Sequence, residues 1–310
     1  MENQSQNQNP SNIFIVDSNT EGQRIDNFLL KTLKGLNKSN IYKLLRKGQI
    51  RINGKRSKPT QRLMHKDKVR VPPFLVQAKD DEVYISDNIL NQIKDLVVFK
   101  NKNYVVINKP SGMSVHSGTG VRFGLIDVCT RLFPNTSLQL AHRLDKDTSG
   151  CVVLAKSRTA LNQFNQQQPI KKYMALVKGL INNDCTIDMK LDTSNRVNGE
   201  KTVIPSESGK PAKTGFRVSE RFSQRPQLTL MNCELFTGRT HQIRVHAAAS
   251  DMPLAGDKKY GELKLNNQLR AKGLKRMFLH ASSIQFYDDE ELLVISAELP
   301  DDLQSFLETL

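Results

Sequence analysis

Two segments near the start of the chain place apolar residues at the spacing of a helix, three and four positions apart. In "RIDNFLLKTL" and "LNKSNIYKLLRKG" these positions are Ile25, Phe28 and Leu29, followed by Ile41, Leu44 and Leu45. We expect the second helix to take Ser39 as its N-cap and to end at Gly48. The pattern predicts two short amphipathic helices in succession.

The pattern then changes to the alternation of a strand. In "QIRING", Ile50 and Ile52 alternate with polar residues, and Asn53-Gly54 is a pair typical of a tight hairpin turn. "KVRVPP" predicts another short strand that ends at two prolines. The first part of the chain is therefore predicted to be a small helix-helix-hairpin domain.

The remaining chain mixes strand and helix patterns without a regular repeat. Strand-like apolar runs recur at 151–155, 173–178, 227–236 and 292–297, and helical patterns at 124–132, 157–166 and 240–250. The absence of alternating strand–helix–strand units favours an α+β domain over a doubly wound one.

These patterns suggest how the 310 residues divide, since a chain of this length usually needs more than one core. We expect a disordered tail at 1–20, a small domain at 21–72, an acidic linker at 73–95 and a larger domain at 96–310.

Composition narrows the class of protein. No apolar run approaches the roughly 18 residues of a membrane span, and the polar start does not look like a secretion signal. The four cysteines, Cys129, Cys151, Cys185 and Cys233, form no C-x-x-C pair, so we expect buried reduced thiols in a cytoplasmic protein. His241 and His246 are five residues apart, which does not suit two ligands on one helical face. We expect no metal.

Positive charge is concentrated in one segment. Residues 43–70 hold eleven Lys or Arg and one acid, Asp67, so they carry most of the chain's net charge of +15. A charged run is usually only a solvated surface. So strong a concentration in a tenth of the chain instead favours a polyanionic partner such as nucleic acid.

The segment "AHRLDKDTSG", residues 141–150, is unusually polar for a turn that leads into the apolar run "CVVLA". Ser149 is not in a G-x-S-x-G elbow, and "TGRTH" lacks the spacing of a phosphate-binding loop. The remaining feature is a carboxylate, Asp145, two residues after a guanidinium, Arg143. A lone Asp in a turn is most often a structural cap, so this segment alone does not establish catalysis.

Two further segments raise the case for a catalytic site. "KKYMALVKG" places Tyr173, Ala175 and Val177 on one face of a strand, although a half-buried Tyr is ordinarily a core residue. In "LFTGRTHQIRVHAAAS", Thr240 is the expected N-cap of a helix through Ala249. Arg244 would point inward on that helix, where it needs a carboxylate, and Asp145 is the expected partner.

The small domain and the polar motifs both resemble known families. Residues 21–72 resemble the S-four-type RNA-binding domain in helix order and in the "RKGQIRINGKR" hairpin. From about residue 96 to 300, "NKPSGMSVHSG", "AHRLDKDTSG", "KKYMALVKG", "TGRTHQIRVH" and "FLHA" resemble the RluA family of pseudouridine synthases. The resemblance implies an α+β catalytic domain with a mixed, largely antiparallel sheet, and it implies isomerisation of uridine in 23S rRNA.

The resemblance also implies roles for individual residues. Asp145 matches the catalytic aspartate, Tyr173 the tyrosine that stacks on the target base, and Arg244 the arginine that pairs with the aspartate. Arg143 matches the residue that fills the space left by the flipped base, Leu235 lines the pocket, and His142 is expected at the substrate. In the basic domain we expect RNA contacts from Lys43, Arg46, Lys47, Arg51, Lys55 and Arg56.

The chemistry of the reaction agrees with these expectations. Uridine isomerisation exchanges a carbon–nitrogen for a carbon–carbon glycosidic bond without redox change, so no cofactor is expected. A carboxylate can attack the sugar, attack the base, or promote elimination through a glycal, and the sequence leaves these routes open. We expect a monomer without membrane contact, whose partner is 23S rRNA or an assembling large ribosomal subunit.

Two other functions fit parts of the sequence. A non-catalytic ribosome-assembly factor would need the basic domain, but it would not need Asp145, Tyr173 and Arg244 together. A hydrolase acting on RNA or sugar would need a second acid or a metal, and Asp147, on the same loop as Asp145, is poorly placed to be that acid.

Overall fold

The computed structural model describes residues 12–33, 36, 38–72, 84–118, 121–197 and 200–310. The chain divides into two compact units, Met1–Tyr84 and Ile85–Leu310. Each unit has its own apolar core.

The first unit packs two helices on a small sheet. Its elements are β1 (Asn12–Ile15), α1 (Ile25–Thr32), α2 (Lys38–Arg46), β2 (Arg51–Ile52) and β3 (Lys68–Val71). The strands form an antiparallel sheet in the order β1-β3-β2. The predicted helices and hairpin are confirmed, and Asn53 and Gly54 both have positive φ in the turn, as the predicted turn type requires.

Two details of this unit correct the sequence-based expectations. The expected disordered tail at 1–20 is wrong for its second half, because Asn12–Ile15 pairs with Lys68–Val71 and Phe14 packs edge-on against Phe28, with 6.3 Å between ring centroids. Residues 1–11 lie outside the described residues. Ser39 is not the N-cap of α2, since the helix already includes Lys38.

A buried carboxylate ties the two helices together. Asp26 in α1 is fully buried and accepts hydrogen bonds from Arg24 at 2.6 Å and from the Tyr42 hydroxyl of α2 at 2.9 Å. Burial opposes ionisation, but these hydrogen bonds outweigh it and lower the pKa of Asp26. The pair of helices is thereby held in one arrangement beneath the cationic surface.

The second unit is built on one large mixed sheet, which confirms the α+β expectation. Its helices are α3 (Asp87–Asp95), α4 (Leu125–Leu132), α5 (Arg158–Gln166), α6 (Gln242–Ala249), α7 (Leu263–Ala271) and α8 (Asp301–Leu307). Its long strands are β4 (Val97–Lys100), β5 (Tyr104–Lys109), β7 (Ser149–Ala155), β8 (Ile170–Lys178), β14 (Lys213–Phe222), β15 (Leu228–Leu235), β16 (Leu279–Asp288) and β17 (Glu291–Ser296). The shorter strands are β6 (Gln139–Leu140), β9 (Cys185–Asp188), β10 (Leu191–Asp192), β11 (Arg196–Val197), β12 (Glu200–Lys201) and β13 (Ile204–Pro205).

The main sheet has the order β4-β5-β7-β16-β8-β15-β14-β9, and its pairs are antiparallel except β16 with β7. All seven residues of β7 are buried, as expected for a strand covered on both faces. Gly150 has a φ of 112°, and a Cβ there would collide with the backbone of Ala281 in β16. This close parallel contact explains the glycine that ends "AHRLDKDTSG".

The expected linker at 73–95 is corrected in its second part. Asp87–Asp95 forms α3, whose Ile93 is fully buried in the core of the second unit, with Ile89 and Leu90 packed against that core. Residues 73–83 lie outside the described residues, so a linker there stays a prediction. The structural unit therefore begins about ten residues before the expected boundary.

Within the described ranges, none of the helices has the length and apolar character needed to cross a bilayer. The same part of the chain holds no group of three or more His, Cys, Asp or Glu side chains that could bind a metal ion. The four cysteines are free, and all but the partly exposed Cys185 are buried.

Candidate active site

A cavity of about 300 Å³ lies where the loop before β7, the strands β8 and β15, and the start of α6 meet. This size is at the lower end of small-molecule sites, about 300–1,000 Å³. It brings together residues from His142 to Leu279, which are far apart in the sequence. All six cavity residues expected from the sequence line it: His142, Arg143, Asp145, Tyr173, Leu235 and Arg244.

A buried lysine holds the loop that carries Asp145. Lys109, at the end of β5, is fully buried and donates hydrogen bonds to the backbone oxygens of Pro110 and Met113 at 2.9 Å and of Lys146 at 3.1 Å. Burial lowers its pKa to about 7, while the charges of Asp147 and Asp145 act in the opposite direction. Three carbonyl oxygens match the three donors of an ammonium group.

The turn after Lys109 adds two further hydrogen bonds to the same loop. Gly112 N donates to Lys146 O at 2.9 Å, and Ser111 Oγ donates to Asp147 O at 2.8 Å. The segment "NKPSGMS" is therefore the support of the Asp145 loop. In the sequence this segment stood out as part of the family resemblance.

The partner of Arg244 differs from the one expected. Arg244 makes two short hydrogen bonds to Asp257, 2.7 Å from Nε to Oδ2 and 2.8 Å from Nη2 to Oδ1. Its Nη1 lies 3.5 Å from Oδ2 of Asp145, at the limit of a hydrogen bond. The expectation that Arg244 needs a carboxylate is right, but the close partner is Asp257. The longer contact through Nη1 shows that the Arg244 side chain also faces Asp145.

Asp257 is held as an anion by its surroundings. Burial opposes its ionisation, but the hydrogen bonds and charge of Arg244 and the backbone N–H groups of Lys259 and Tyr260 together lower its pKa. Those two N–H groups donate to Oδ1 at 2.8 and 3.1 Å. A fixed anion behind Arg244 thus holds one end of the guanidinium, while the other end faces the cavity.

Tyr173 lies in β8 opposite Cys233 of β15, and its side chain is almost fully buried. Burial raises the pKa of its phenol, and the charge of Asp145 raises it further. Tyr173 is therefore a neutral phenol at physiological pH. Its aromatic ring and Leu235, at the end of β15, supply apolar surface to the cavity.

Arg143 and His142 point in different directions although they are adjacent. The Arg143 side chain is exposed at the mouth of the cavity. His142 Nε2 accepts a hydrogen bond from Val153 N at 3.2 Å, and its ring stacks on Phe164. Burial lowers the pKa of His142 to about 3, with a smaller effect from Lys171. His142 thus braces the loop against β7 as well as lining the cavity.

His241 is a cavity residue that the sequence did not predict, apart from its consideration as a metal ligand. It is the N-cap of α6, which corrects the expectation that Thr240 has that position, and its φ of 55° is left-handed. Its Nε2 lies 3.8 Å from Oδ2 of Asp145, and its Nδ1 lies 2.8 Å from the Tyr260 hydroxyl. Burial lowers its pKa, so the imidazole is neutral.

A second cavity of about 490 Å³ adjoins the first and shares Asp145, His241 and Arg244 with it. Lys146, Lys258 and Lys259 also line it, together with Asp147. We call it the lysine cavity. Cationic side chains beside a carboxylate suit an anionic substrate whose reacting part enters the first cavity.

The cationic residues expected to bind RNA differ in exposure. Lys43, Arg46, Lys47, Lys55 and Arg56 are exposed on the first unit. Arg51 is only partly exposed, and it donates to Gly48 O at 3.1 Å and Gly54 O at 3.3 Å. Arg51 therefore stabilises the hairpin, which leaves fewer of its donors for a phosphate.

Comparison with known proteins identifies the family. A sequence profile described as RNA pseudouridylate synthase matches residues 103–249, and a profile described as S4 domain matches residues 23–69. The chain is 40% identical to "Ribosomal large subunit pseudouridine synthase C" of Vibrio vulnificus, covering 96% of each chain. It is 39% identical to the protein of that name from Escherichia coli O157:H7, again covering 96% of each.

Solved structures of RNA pseudouridylate synthase domains are similar to this chain. "Human RNA Pseudouridylate Synthase Domain Containing 1" is 26% identical with a TM-score of 0.56, over 66% of this chain and 83% of that one. "Human RNA Pseudouridylate Synthase Domain Containing 4" has the same fold, with a TM-score of 0.59 over 72% of this chain and 95% of that one. The chain belongs to the RNA pseudouridylate synthase family. It is a pseudouridine synthase with an RNA-binding domain, as the motifs predicted.

Proposed function

We propose that this protein converts specific uridines of 23S ribosomal RNA to pseudouridine, with Asp145 as the nucleophile. The proposal is supported by the curated relatives, which are named ribosomal large subunit pseudouridine synthases. The observation that carries the catalytic assignment is the cavity in which Asp145 and the guanidinium of Arg244 meet beside Tyr173.

The reaction is an isomerisation, so its atoms balance without a co-reactant. The bond from N1 of uracil to C1′ of the ribose breaks, the detached base turns, and a bond from C5 to C1′ forms. One proton leaves C5 and one is gained at N1. An Asp145 carboxylate can bond to the electron-poor carbon that appears when the base departs, as carboxylates do in retaining glycosidases.

The other cavity residues hold the reacting groups. Arg244, fixed from behind by Asp257, orients the Asp145 carboxylate and balances its charge. The ring of Tyr173 stacks on the uracil, and Leu235 packs against its edge. Because the phenol of Tyr173 is neutral, it can donate a proton or a hydrogen bond to the base.

A uracil can reach Asp145 only if it leaves the RNA stack. Arg143 is exposed at the mouth of the cavity, and its planar guanidinium can occupy the space that the base leaves. His142 supports the backbone at this point from the other side, through Val153 and Phe164. Arg143 thus contacts the RNA, and His142 stabilises the loop.

The first unit supplies affinity for the RNA backbone. Its five exposed cations from Lys43 to Arg56 lie on α2, directly after it and on the hairpin, where phosphates can reach them. We further propose that the protein acts as a monomer in the cytoplasm, on 23S rRNA or on an assembling large subunit.

The test replaces Asp145 by Asn and uses Asp147→Asn as a matched control, since both remove one negative charge from the same loop. We expect Asp145→Asn to lose pseudouridine formation on a 23S rRNA fragment while it binds that fragment as tightly as the parent. Asp147→Asn should remain active. Substantial pseudouridine formation by purified Asp145→Asn would contradict the assignment.

The substrate assignment is tested separately. Pseudouridine is mapped across the ribosomal RNA of a strain that lacks this protein, and the positions are compared with the parent strain. We expect defined 23S positions to lose pseudouridine and to regain it when the parent gene, but not Asp145→Asn, is restored. An unchanged map would contradict the proposed substrate.

A further inference from the structure

His241 combines three properties that the catalytic assignments above do not use. It lines both the active-site cavity and the lysine cavity. Its Nε2 is 3.8 Å from the Asp145 carboxylate. Its backbone is left-handed, with φ 55° and ψ 19°, a conformation that is uncommon for residues other than glycine and often marks functional sites.

The hydrogen bonds of Tyr260 determine which nitrogen of His241 carries the proton. The Tyr260 hydroxyl oxygen already accepts a hydrogen bond from Val203 N at 3.0 Å. Its own proton needs an acceptor, and among the described residues His241 Nδ1, at 2.8 Å, is the one in reach. A neutral imidazole that accepts at Nδ1 has its hydrogen on Nε2. We therefore assign the Nε2–H tautomer.

This tautomer aims a donor at the reacting part of the site. The distance of 3.8 Å from Nε2 to Oδ2 is too long for a hydrogen bond, as is common in catalytic sites without substrate. Arg244 Nη1 lies 3.5 Å from the same oxygen. Among the described residues, these long contacts to Asp145 are the ones that the two donors make, so each is able to bind a further oxygen atom.

Tyr260 is itself fixed in position, which makes the orientation of His241 rigid. Its ring lies under the Arg244 guanidinium, with 5.0 Å from Cζ to the ring centroid, and its backbone N–H donates to Asp257. The two rings of His241 and Tyr260 pack edge to face at 5.5 Å. The charged groups around the imidazole are Asp145, Arg244, Lys259 and Asp257.

We propose that His241 is a substrate-binding residue that donates its Nε2–H to an oxygen of the target nucleotide beside Asp145, with Tyr260 as the positioning residue that fixes the tautomer. The inference rests on the proposed uridine isomerisation. The acceptor is a uracil carbonyl or the ribose 2′-hydroxyl, both of which are oxygens near the bond that breaks. A donor there can hold the uracil or the sugar as the glycosidic bond is exchanged.

The decisive comparison is His241→Gln against His241→Asn. Gln carries its amide N–H at about the distance from the backbone at which His carries Nε2–H, whereas Asn reaches only to the level of Nδ1. Asn, however, tolerates left-handed backbone better than Gln. A donor role therefore predicts that Gln retains more activity than Asn, and a purely structural role predicts the reverse order.

We expect His241→Asn to lower kcat on a 23S rRNA fragment by at least about tenfold, the effect of one lost hydrogen bond in the transition state. KM and RNA affinity should stay close to those of the parent. His241→Gln should recover most of kcat. Parent-like activity in the Asn variant, or equal losses in both variants, would overturn the proposal.

Tyr260→Phe tests the same idea without changing the backbone at position 241. It keeps the ring under Arg244 and removes only the hydroxyl, so His241 can exchange its proton between nitrogens. We expect a smaller fall in kcat than in His241→Asn, with little change in KM. If both His241 variants fail to fold, this variant decides, and an unchanged kcat would overturn the proposal.

Modified substrates distinguish the two acceptors. If the 2′-hydroxyl is the acceptor, a fragment with 2′-deoxyuridine at the target should react equally fast with the parent and His241→Asn. If the carbonyl is the acceptor, thio-substituted uracil should remove the difference instead. A difference that persists on both substrates would overturn the proposal. Failure of the parent itself to form pseudouridine would contradict the proposed function and not this inference.

Discussion

Replacing Arg244 by Met should affect stability as much as catalysis, because Arg244 holds two carboxylates of different kinds. Asp257 is fully buried and makes two short hydrogen bonds to it, whereas Asp145 is partly exposed and 3.5 Å away. The substitution leaves Asp257 as a buried anion without its cation. We expect loss of pseudouridine formation together with a lower melting temperature.

The size of the effect follows from what remains around Asp257. Removing one partner of a buried ion pair costs about 3–5 kcal/mol. The backbone N–H groups of Lys259 and Tyr260 still donate to Oδ1, so we expect the lower end, about 3 kcal/mol. For a folding unit of this size that corresponds to a fall in melting temperature of roughly 6–12 °C.

The pH dependence of this effect has a defined sign. The pKa of Asp257 is lowered in the folded protein from its ordinary value of 3.8, so the pair stabilises fully above that value. The contribution is lost as pH falls through the folded pKa. The difference in stability between parent and Arg244→Met should therefore be constant from about pH 7 to 5 and should shrink below about pH 4.

The assay is thermal unfolding by calorimetry, run beside pseudouridine formation on an rRNA fragment. Arg244→Met/Asp257→Asn is the control, since the second substitution removes the stranded charge and should recover part of the lost stability without recovering activity. A melting temperature for Arg244→Met within about 2 °C of the parent would refute the reasoning, because it corresponds to less than about 1 kcal/mol.

Four other outcomes are expected. Removal of residues 1–84 should weaken rRNA binding and flatten its salt dependence, by about 0.7 in log–log slope for each phosphate of single-stranded RNA that the protein no longer neutralises; an unchanged slope would exclude a role of the cations in binding. Lys109→Met should lower melting temperature and kcat together, since each buried carbonyl left without a donor costs about 1–3 kcal/mol; unchanged melting would contradict the support of the Asp145 loop. His142 is neutral when folded, so its stabilisation is full above its ordinary pKa of 6.5 and falls by about 1.4 kcal/mol per pH unit below it. His142→Gln, which can still accept from Val153 N, should reduce that acid dependence in urea unfolding. Arg143→Ala should slow modification of a structured rRNA fragment more than that of a short RNA with an unstacked target; equal losses would mean that Arg143 only braces the loop.

Periodicity predicted many of the elements of the second unit. The helix expected over 157–166 is α5 from Arg158 to Gln166, and the strand expected over 292–297 is β17 from Glu291 to Ser296. These segments have strong patterns and clear ends. The order of the strands could not be predicted, because the parallel pairing of β16 with β7 joins segments about 130 residues apart in the sequence.

The two errors in domain boundaries have a common cause. Asn12–Ile15 and Asp87–Asp95 both lie in polar surroundings, and each is held by few apolar contacts, such as Phe14 on Phe28 and Ile93 in the core. Local composition suggested disorder for the first and a linker for the second. Tertiary contacts with distant residues determine whether such segments form helices or strands, and a single sequence does not show those contacts.

The limit of sequence-based prediction is also visible at the candidate active site. Asp145, Tyr173 and Arg244 were predicted from motifs, but Asp257 and Tyr260 were not, since "PLAGDKKYG" reads as an ordinary turn. A buried arginine requires a carboxylate, and that rule correctly demanded a partner for Arg244. It could not choose between Asp145, the proposed nucleophile, and Asp257, which holds the guanidinium.

The distinction between those two carboxylates explains how the site can keep an aspartate available for reaction. If Asp145 were the close partner of Arg244, its oxygens would be engaged in two short hydrogen bonds and less free to attack carbon. Asp257 takes those bonds instead, and Asp145 is left with longer contacts at 3.5 Å to Arg244 and 3.8 Å to His241. Asp257 thereby fixes the guanidinium in position, and the oxygens of Asp145 stay available. This arrangement explains why two acids contact one arginine. It leaves the carboxylate that faces the cavity without short hydrogen bonds to Arg244.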